Sequence, residues 1–287
     1  MKKYISLLRV KHYVKNLLIL TPLFFGEGIF DMKTLTNVVY ALIIACLVSS
    51  TIYILNDIND IEKDRKHPVK CNRPLASGII SIRMAITILI VLYIAIILLS
   101  TLALFKNIFS YDALLWLIAY IIINLLYSRG LKNVPVMDVV ILASGFVIRL
   151  YYGSCVANVA VSSWLYLTVL GGAFYLGMGK RRNELQKQSV GDTREVLRKY
   201  SYAFLDKNMH MCAVFTEVCY ALWAVQNQHK TLMWTVPIVM IIFMKYSLDI
   251  ESTESDGNPI DVVLEDKTLL LLLVLYALVV FLSIYVL

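Results

Sequence analysis

Long apolar runs recur along the whole chain, and their length limits what it can fold into. They lie near residues 14–30, 37–56, 79–102, 110–127, 134–153, 162–179, 208–226, 231–248 and 268–286. Crossing a hydrocarbon core of about 30 Å takes roughly 20 apolar residues in a helix. In lipid every backbone N–H and C=O must be satisfied within the protein, and a helix does this within one segment. Only 16% of the residues are charged, against 59% apolar, whereas soluble domains carry about 25% charge. The expectation is an all-α polytopic membrane protein with nine transmembrane helices, forming one membrane domain over residues 1–287. The first run is interrupted by Pro22, Gly26 and Glu27. A re-entrant first segment, leaving eight crossings, is its alternative. The amphipathic basic lead-in of Lys2, Lys3, Arg9, Lys11 and Lys15 precedes the apolar stretch from Leu17 to Phe30, which reads as a retained helix rather than a cleaved signal.

Charge sets the orientation. With nine crossings, the N-terminus and the loops after the second, fourth, sixth and eighth helices share one side. Of the 27 Lys and Arg, only Lys33, Lys106 and Lys230 fall on the other side, and Arg149 lies inside the fifth run. Basic loops stay cytoplasmic, so the N-terminus and those four loops are placed there. The net charge of +7 then reflects topology and anionic substrates, and no nucleic-acid partner is expected. Cys46, Cys71, Cys155, Cys212 and Cys219 are odd in number and scattered, which argues against a disulfide framework or a thiolate metal site.

The chemistry concentrates where the second run ends. Asn56-Asp57-Ile58-Asn59-Asp60-Ile61-Glu62-Lys63-Asp64 leads into a basic loop with His67, Pro68, Lys70, Arg73 and Pro74, closed by Gly78. Asp57, Asp60 and Asp64 are spaced i, i+3, i+7, so a continuous helix projects all three from one face. Crowded carboxylates repel unless a cation sits among them. Mg²⁺ takes oxygen ligands, usually one or two carboxylates with substrate phosphates and water, and Asn56 adds a neutral oxygen. Lys70 and Arg73 supply positive charge for phosphate oxygens, Arg bidentately. The plain alternative is a solvated loop of mixed charge. His67, before a proline, reads as a turn residue.

The run NDxxDxxxDxxHPxKxxRPxAxG, from Asn56 to Gly78, resembles the first Asp-rich motif of the UbiA superfamily of membrane prenyltransferases. The resemblance implies a nine-helix bundle around a lipid-accessible cavity, with the site at its cytoplasmic mouth. Prenyltransferases of that kind carry a second Asp-rich motif after the sixth helix. The corresponding loop here reads Gly179-Lys180-Arg181-Arg182-Asn183-Glu184-Leu185, and its acids, Glu184, Asp192, Glu195 and Asp206, make no DxxxD. A metal site is replaced by positive charge.

Further segments resemble one branch, the decaprenyl-phosphate (polyprenyl-phosphate) phosphoribosyltransferases. They are Arg9 to Asn16; Tyr127-Ser128 with Leu131-Lys132 and Pro135 to Asp138; Gly145-Phe146 with Arg149 and Gly153; Gly179-Lys180-Arg181 with Glu184-Leu185; and Lys245-Tyr246 with Asp249, Pro259, Asp261 and Asp266. Val10 stands where the family usually has Pro. The resemblance implies phosphoribosyl diphosphate as donor, a polyprenyl phosphate as acceptor, Mg²⁺ as cofactor, a role in cell-wall glycan synthesis and a prokaryotic inner membrane.

On that reading Asn56, Asp57, Asp60 and Asp64 hold Mg²⁺ on the donor diphosphate, and Lys70 and Arg73 stabilise the departing diphosphate. Lys11, Lys15 and Asn16 orient the acceptor phosphate. Tyr127, Lys132, Asp138, Arg149, Lys180 and Arg181 are further substrate-binding candidates. Asp138 can accept a ribose hydroxyl or pair with Lys132. Arg149 can instead snorkel outward, and Arg182, Lys187, Arg194 and Lys199 read as topology or anionic-lipid residues. Membrane lipids are expected partners, and self-association is left open. Two alternatives stand. One is prenyl transfer to an aromatic or quinone precursor, with Glu184 and Asp192 as a degenerate second motif. The other is an anionic-metabolite transporter, whose charges belong at mid-membrane and not at one mouth.

Overall fold

The computed structural model describes residues 2–66, 69–186, 195–251 and 258–287. His67, Lys187, Asp192 and Arg194, to which roles were assigned above, lie outside them. Among the described residues every regular element is a helix. The α-helices are α1 (Lys2–Leu8), α2 (Thr21–Phe25), α3 (Met32–Asn59), α4 (Ile61–Lys66), α5 (Ile82–Phe105), α6 (Tyr111–Ser128), α7 (Met137–Ala157), α8 (Ser163–Gln186), α9 (Tyr202–Gln226), α10 (Val236–Glu251), α11 (Pro259–Glu265) and α12 (Lys267–Tyr285). Short 3₁₀ segments join several of them, the longest being Val10–Leu20.

Helix starts follow capping chemistry. The side chains of Ser81, Ser110, Ser201 and Asp266 accept the N–H of Met84, Ala113, Phe204 and Leu269, and Asp31 accepts that of Lys33. Each such cap contributes about 1 kcal/mol and sets where the apolar run becomes helical. The Asp31 carboxyl, hydrogen-bonded by the Thr34 hydroxyl and the Lys33 N–H, is held below its ordinary pKa.

Six helices are long and apolar enough to cross a membrane: α3, α5, α6, α7, the continuous Lys230–Glu251 segment containing α10, and α12. The other three expected crossings differ. The run at 14–30 is not one helix: the 3₁₀ segment Val10–Leu20 passes into α2 at Pro22, and the chain turns at Gly26. Helices α8 and α9 have 24 and 25 residues, which suffices in length. Their apolar character is diluted by Trp164, four glycines, Lys207, His210 and Glu217.

The described chain forms two compact units that interleave in sequence. The first comprises residues 1–129 and 148–160, the second 130–147 and 161–287, so α7 contributes its beginning to one and its remainder to the other. In the first unit α3 is the inner helix: 56% of its most apolar stretch is buried, against 17% for α5 and for α6, whose apolar faces point outward. Its core gathers Ile19, Leu23, Val38, Ile44, Val48, Leu117, Tyr152 and Val156. A second cluster, Leu7, Ile54, Ile61, Leu75, Ile80 and Ala85, packs beneath the end of α3 and anchors α1 and the following loop. The core of the second unit is built from Val139, Tyr175, Met178, Leu197, Leu205, Met209, Tyr246 and Ile250.

One close approach fixes the N-terminal segment. A Cβ on Gly153 of α7 would stand 2.1 Å from the Ile19 carbonyl oxygen. Only glycine lets the 3₁₀ segment lie directly on that helix.

Candidate functional site

In the first unit the site begins at the end of α3. The helix formally stops at Asn59, yet the hydrogen-bond ladder runs on: the Asp60 N–H donates to the Asn56 carbonyl (3.0 Å) and the Asp64 N–H to the Asp60 carbonyl (2.8 Å). The helical spacing therefore survives the junction with α4. Asp57 and Asp64 are buried, at 3% and 5% exposure. Such carboxylates require charged partners, and two arginines provide them. Arg73, placed by the 3₁₀ turn Lys70–Asn72, donates from Nη1 to Asp64 Oδ2 (2.6 Å) and to Asp57 Oδ1 (3.2 Å). Arg9 donates from Nη2 to Asp57 Oδ1, with its guanidinium 4.8 Å from the ring centroid of Tyr53. The Ser128 hydroxyl at the end of α6 donates to Asn56 Oδ1. Arg65 ties α4 to the loop by donating to the Ala76 carbonyl (3.3 Å).

No group of three or more His, Cys, Asp or Glu side chains placed to hold a metal occurs among the described residues. Instead of a three-carboxylate cage, two buried carboxylates converge on one Arg73 nitrogen. A hard divalent cation needs only one or two carboxylates when substrate phosphates complete its shell. The all-oxygen set of Asp57 and Asp64, with Asp60 and Asn56 adjacent, fits such a cation. Lys70 is half-buried in the same loop, as are Lys15 and Tyr127 elsewhere in the first unit, and Lys11 is exposed.

Asn16 and Arg149 have a different setting from the one read in the sequence. Both are buried, at 1% and 8% exposure. The Arg149 guanidinium donates to Asn16 Oδ1 (2.7 Å) and to the Tyr120 hydroxyl (2.5 Å), and lies over the Tyr120 ring. Asn16 Nδ2 donates to Ser49 Oγ (3.3 Å) and Cys46 Sγ (3.2 Å). Arg149 therefore points inward instead of snorkelling. A cation inside a membrane helix finds its hydrogen bonds within the protein, and here they pin the N-terminal segment to α3 and α7. A small cavity opens beside this latch, lined among others by Trp116, Tyr120 and Tyr152.

The second unit holds the other candidates. Asp138 and Arg181 are fully buried. Arg181 donates from Nε to Asp138 Oδ2 (2.6 Å) and from Nη1 to Glu184 Oε2 (2.6 Å). The Tyr200 hydroxyl donates to Asp138 Oδ1 (2.7 Å) and accepts the Val136 N–H (2.5 Å). Both Asp138 oxygens are thus engaged by groups other than a sugar. Burial and the hydrogen bond to Asp138 push the Tyr200 phenol up to about 12. Val136 has φ 68, a left-handed conformation that a β-branched residue rarely adopts, in the loop that carries the half-buried Lys132. Lys180 lies 3.9 Å from Glu184. Arg182 is also fully buried, paired with Asp206 and Glu251 (3.6 Å), so it faces neither lipid nor solvent.

Arg9, Ser128, Tyr120 and Tyr200 were not singled out as site residues by the sequence. Arg9 is separated from Asp57 by 48 positions, and no local spacing signals such a pair.

The model of the UbiA prenyltransferase family matches residues 20–261, across both units. A decaprenyl-phosphate phosphoribosyltransferase of Corynebacterium glutamicum is 33% identical, with 98% of this chain and 86% of that protein covered. The Mycolicibacterium smegmatis protein of the same name is 31% identical over 93% of this chain and 88% of its own length. Among solved structures, a UbiA homolog from Archaeoglobus fulgidus bound to GPP and Mg²⁺ superposes with a TM-score of 0.72 over 99% of this chain and all of that one, at 22% identity. With its apolar helices and this shared fold, the protein is an integral membrane protein, and the chain belongs to the UbiA prenyltransferase family.

Proposed function

We propose that the protein transfers the phosphoribosyl group of phosphoribosyl diphosphate to a polyprenyl phosphate, releasing diphosphate. The observation that carries this reading is the near full-length similarity to proteins named decaprenyl-phosphate phosphoribosyltransferase. The residues agree with it in one respect. Where a second pair of carboxylates would serve a prenyl diphosphate, α8 ends in buried Arg181 and Arg182.

In this scheme an oxygen of the acceptor phosphate forms the new bond to C1 of the ribose, and the bond from C1 to the diphosphate breaks, with the electron pair leaving on diphosphate. The acceptor phosphate is already anionic at neutral pH and needs no general base. Asp57 and Asp64, supported by Asp60 and Asn56, are the residues that would hold Mg²⁺, which when bound withdraws charge from the departing diphosphate. Arg73 and Lys70 supply hydrogen bonds to that leaving group. Lys11 and Lys15 serve the acceptor phosphate, while Asn16 and Arg149 fix the segment that carries them. Lys132, Lys180 and Tyr127 are assigned to the phosphate groups of the substrates, with Asp138 and Arg181 holding the second-unit framework. Most of the acceleration comes from positioning two anions against one another. The proposal includes one membrane domain of nine crossings in a prokaryotic inner membrane, with the N-terminus and the basic loops cytoplasmic, as the Lys and Arg distribution favours.

The test is an assay in detergent with Mg²⁺, labelled phosphoribosyl diphosphate and a polyprenyl phosphate, following label into the organic phase. EDTA-sensitive lipid-linked label is expected. A second reading, prenyl transfer, is favoured by the family description and by the structural relative bound to GPP. No sugar transfer, together with turnover of a prenyl diphosphate and an aromatic acid, would select it.

A further inference from the structure

We propose that Arg9 is an exchangeable counter-cation. It holds Asp57 while the site is without substrate, and it turns to the diphosphate when a divalent cation takes the carboxylate, so that metal and diphosphate each strengthen the binding of the other. This inference rests on the assignment of a metal to Asp57 and Asp64, and not on which group the diphosphate carries.

Charge is the first argument. Asp57 and Asp64 bring two negative charges, and Arg9 and Arg73 bring two positive ones within ion-pair distance. The four groups are neutral as a set. A bare divalent cation entering them meets two guanidinium groups and must displace them from buried carboxylates. A divalent cation arriving with a diphosphate brings the anionic oxygens to which those guanidiniums can transfer. Arginine suits this exchange because its fork matches phosphate as well as carboxylate, and it stays charged throughout.

The backbone is the second argument. Arg9 joins α1 to the 3₁₀ segment with φ 52 and ψ 47, a left-handed conformation that side-chain-bearing residues seldom hold. Its neighbours are fixed on both sides. Leu8 accepts the Ser50 hydroxyl through its carbonyl (2.9 Å), and the Tyr13 hydroxyl meets Ser50 Oγ (2.8 Å). The chain on either side of Arg9 is held against α3, and the strained residue between presents its guanidinium to Asp57 across the Tyr53 ring. Such strain persists where surrounding structure enforces it, often at sites that switch. The guanidinium is 19% exposed and Asp57 only 3%, so the arginine is the member of the pair that incoming anions reach first.

The test is Mn²⁺ binding to the full-length protein in detergent, followed by electron paramagnetic resonance with and without methylenediphosphonate. That probe carries neither ribose nor prenyl group, so the outcome is independent of donor identity. In the wild type, methylenediphosphonate is expected to raise Mn²⁺ affinity. Arg9→Gln should bind Mn²⁺ about tenfold or more tightly in its absence, the scale of removing one positive charge from beside a carboxylate at intermediate dielectric, and should lose much of the enhancement. Arg9→Lys keeps the charge and should stay near the wild type without methylenediphosphonate. A purely structural arginine would lower thermal stability without tightening Mn²⁺ binding. Unchanged or weaker Mn²⁺ binding in Arg9→Gln, or no enhancement in the wild type, overturns the proposal. Absence of Mn²⁺ binding in every protein and condition overturns it together with the metal assignment.

Discussion

The buried pair of Asp138 and Arg181 allows a quantitative test of how the second unit is held. Both side chains are fully buried, and Asp138 also accepts the Tyr200 hydroxyl. Replacing Asp138 by Leu leaves a guanidinium in the interior with Glu184 as a remaining partner, and Glu184 is 26% exposed. Breaking a buried pair from one side costs about 3–5 kcal/mol. The surviving contact puts this case at the lower end, about 3 kcal/mol. At about 2–4 °C per kcal/mol for a large domain, the melting temperature in detergent should fall by about 6–12 °C. The Arg181→Met, Asp138→Leu double variant removes both charges and their desolvation cost, and should recover most of that loss. Thermal unfolding followed by size-exclusion chromatography measures all four corners of the cycle. If the double variant falls by the sum of the two single losses, the charges are not energetically coupled and the network described above is wrong.

Asp64→Asn should abolish turnover by removing a carboxylate from the candidate metal set, while the protein still elutes as a folded species; retained turnover would remove Asp64 from that set. Gly153→Ala places a methyl group against the Ile19 carbonyl, and overpacking of this kind costs about 1–3 kcal/mol, read as a lower melting temperature. The Tyr200 phenol is pushed from 10.0 up to about 12 by burial and by Asp138. The folded protein thus keeps a proton that the unfolded chain releases, so stability should fall as pH rises from about 10 towards 12. Tyr200→Phe should remove that part of the alkaline loss, and an unaltered alkaline profile would count against the assignment. Cys71, partly exposed beside the Asp-rich segment, should react with a membrane-impermeant maleimide in inverted vesicles and not in intact cells. The opposite pattern would reverse the proposed topology.

How much of this was legible in the sequence depended on the range of the interaction. The apolar runs announced helices because period and length are local properties; the caps that set their starts, Ser81, Ser110 and Ser201, were not read, and the run begun at 208 starts at Tyr202. The first run was legible in part: Pro22 and Gly26 marked its interruption, but nothing marked Val10–Leu20 as 3₁₀. The Asp57 to Asp64 spacing survived the junction at Asp60 because the helical ladder continues through it. What spacing could not reveal was which cation each carboxylate meets. Arg73 follows Asp64 closely in sequence and was readable as a phosphate ligand. Arg9 reaches Asp57 across 48 positions, and Arg149 reaches Asn16 across 133. Such pairs are made by tertiary packing alone.

That distinction changes what the basic character of the chain means. A surplus of Lys and Arg read from the sequence suggests cations waiting for phosphates. In the folded protein Arg9, Arg73, Arg181 and Arg182 are each already bound to carboxylates. Arginine remains charged under all relevant conditions, so burying it demands a counter-ion, whereas the stem of lysine can be buried with its head near water. Arg181 and Arg182, at 0% exposure, are best understood as framework, because releasing them would strand charge in the interior. Arg9 and Arg73 are 19% and 29% exposed, and they sit on carboxylates that a divalent cation could occupy. On the proposed exchange, a phosphate-bearing substrate would trade these partners for new ones instead of adding charge pairs, and the energy for recognition would be the difference between the two sets. Affinity for diphosphate should therefore depend on the divalent cation far more strongly than the net charge of the chain suggests.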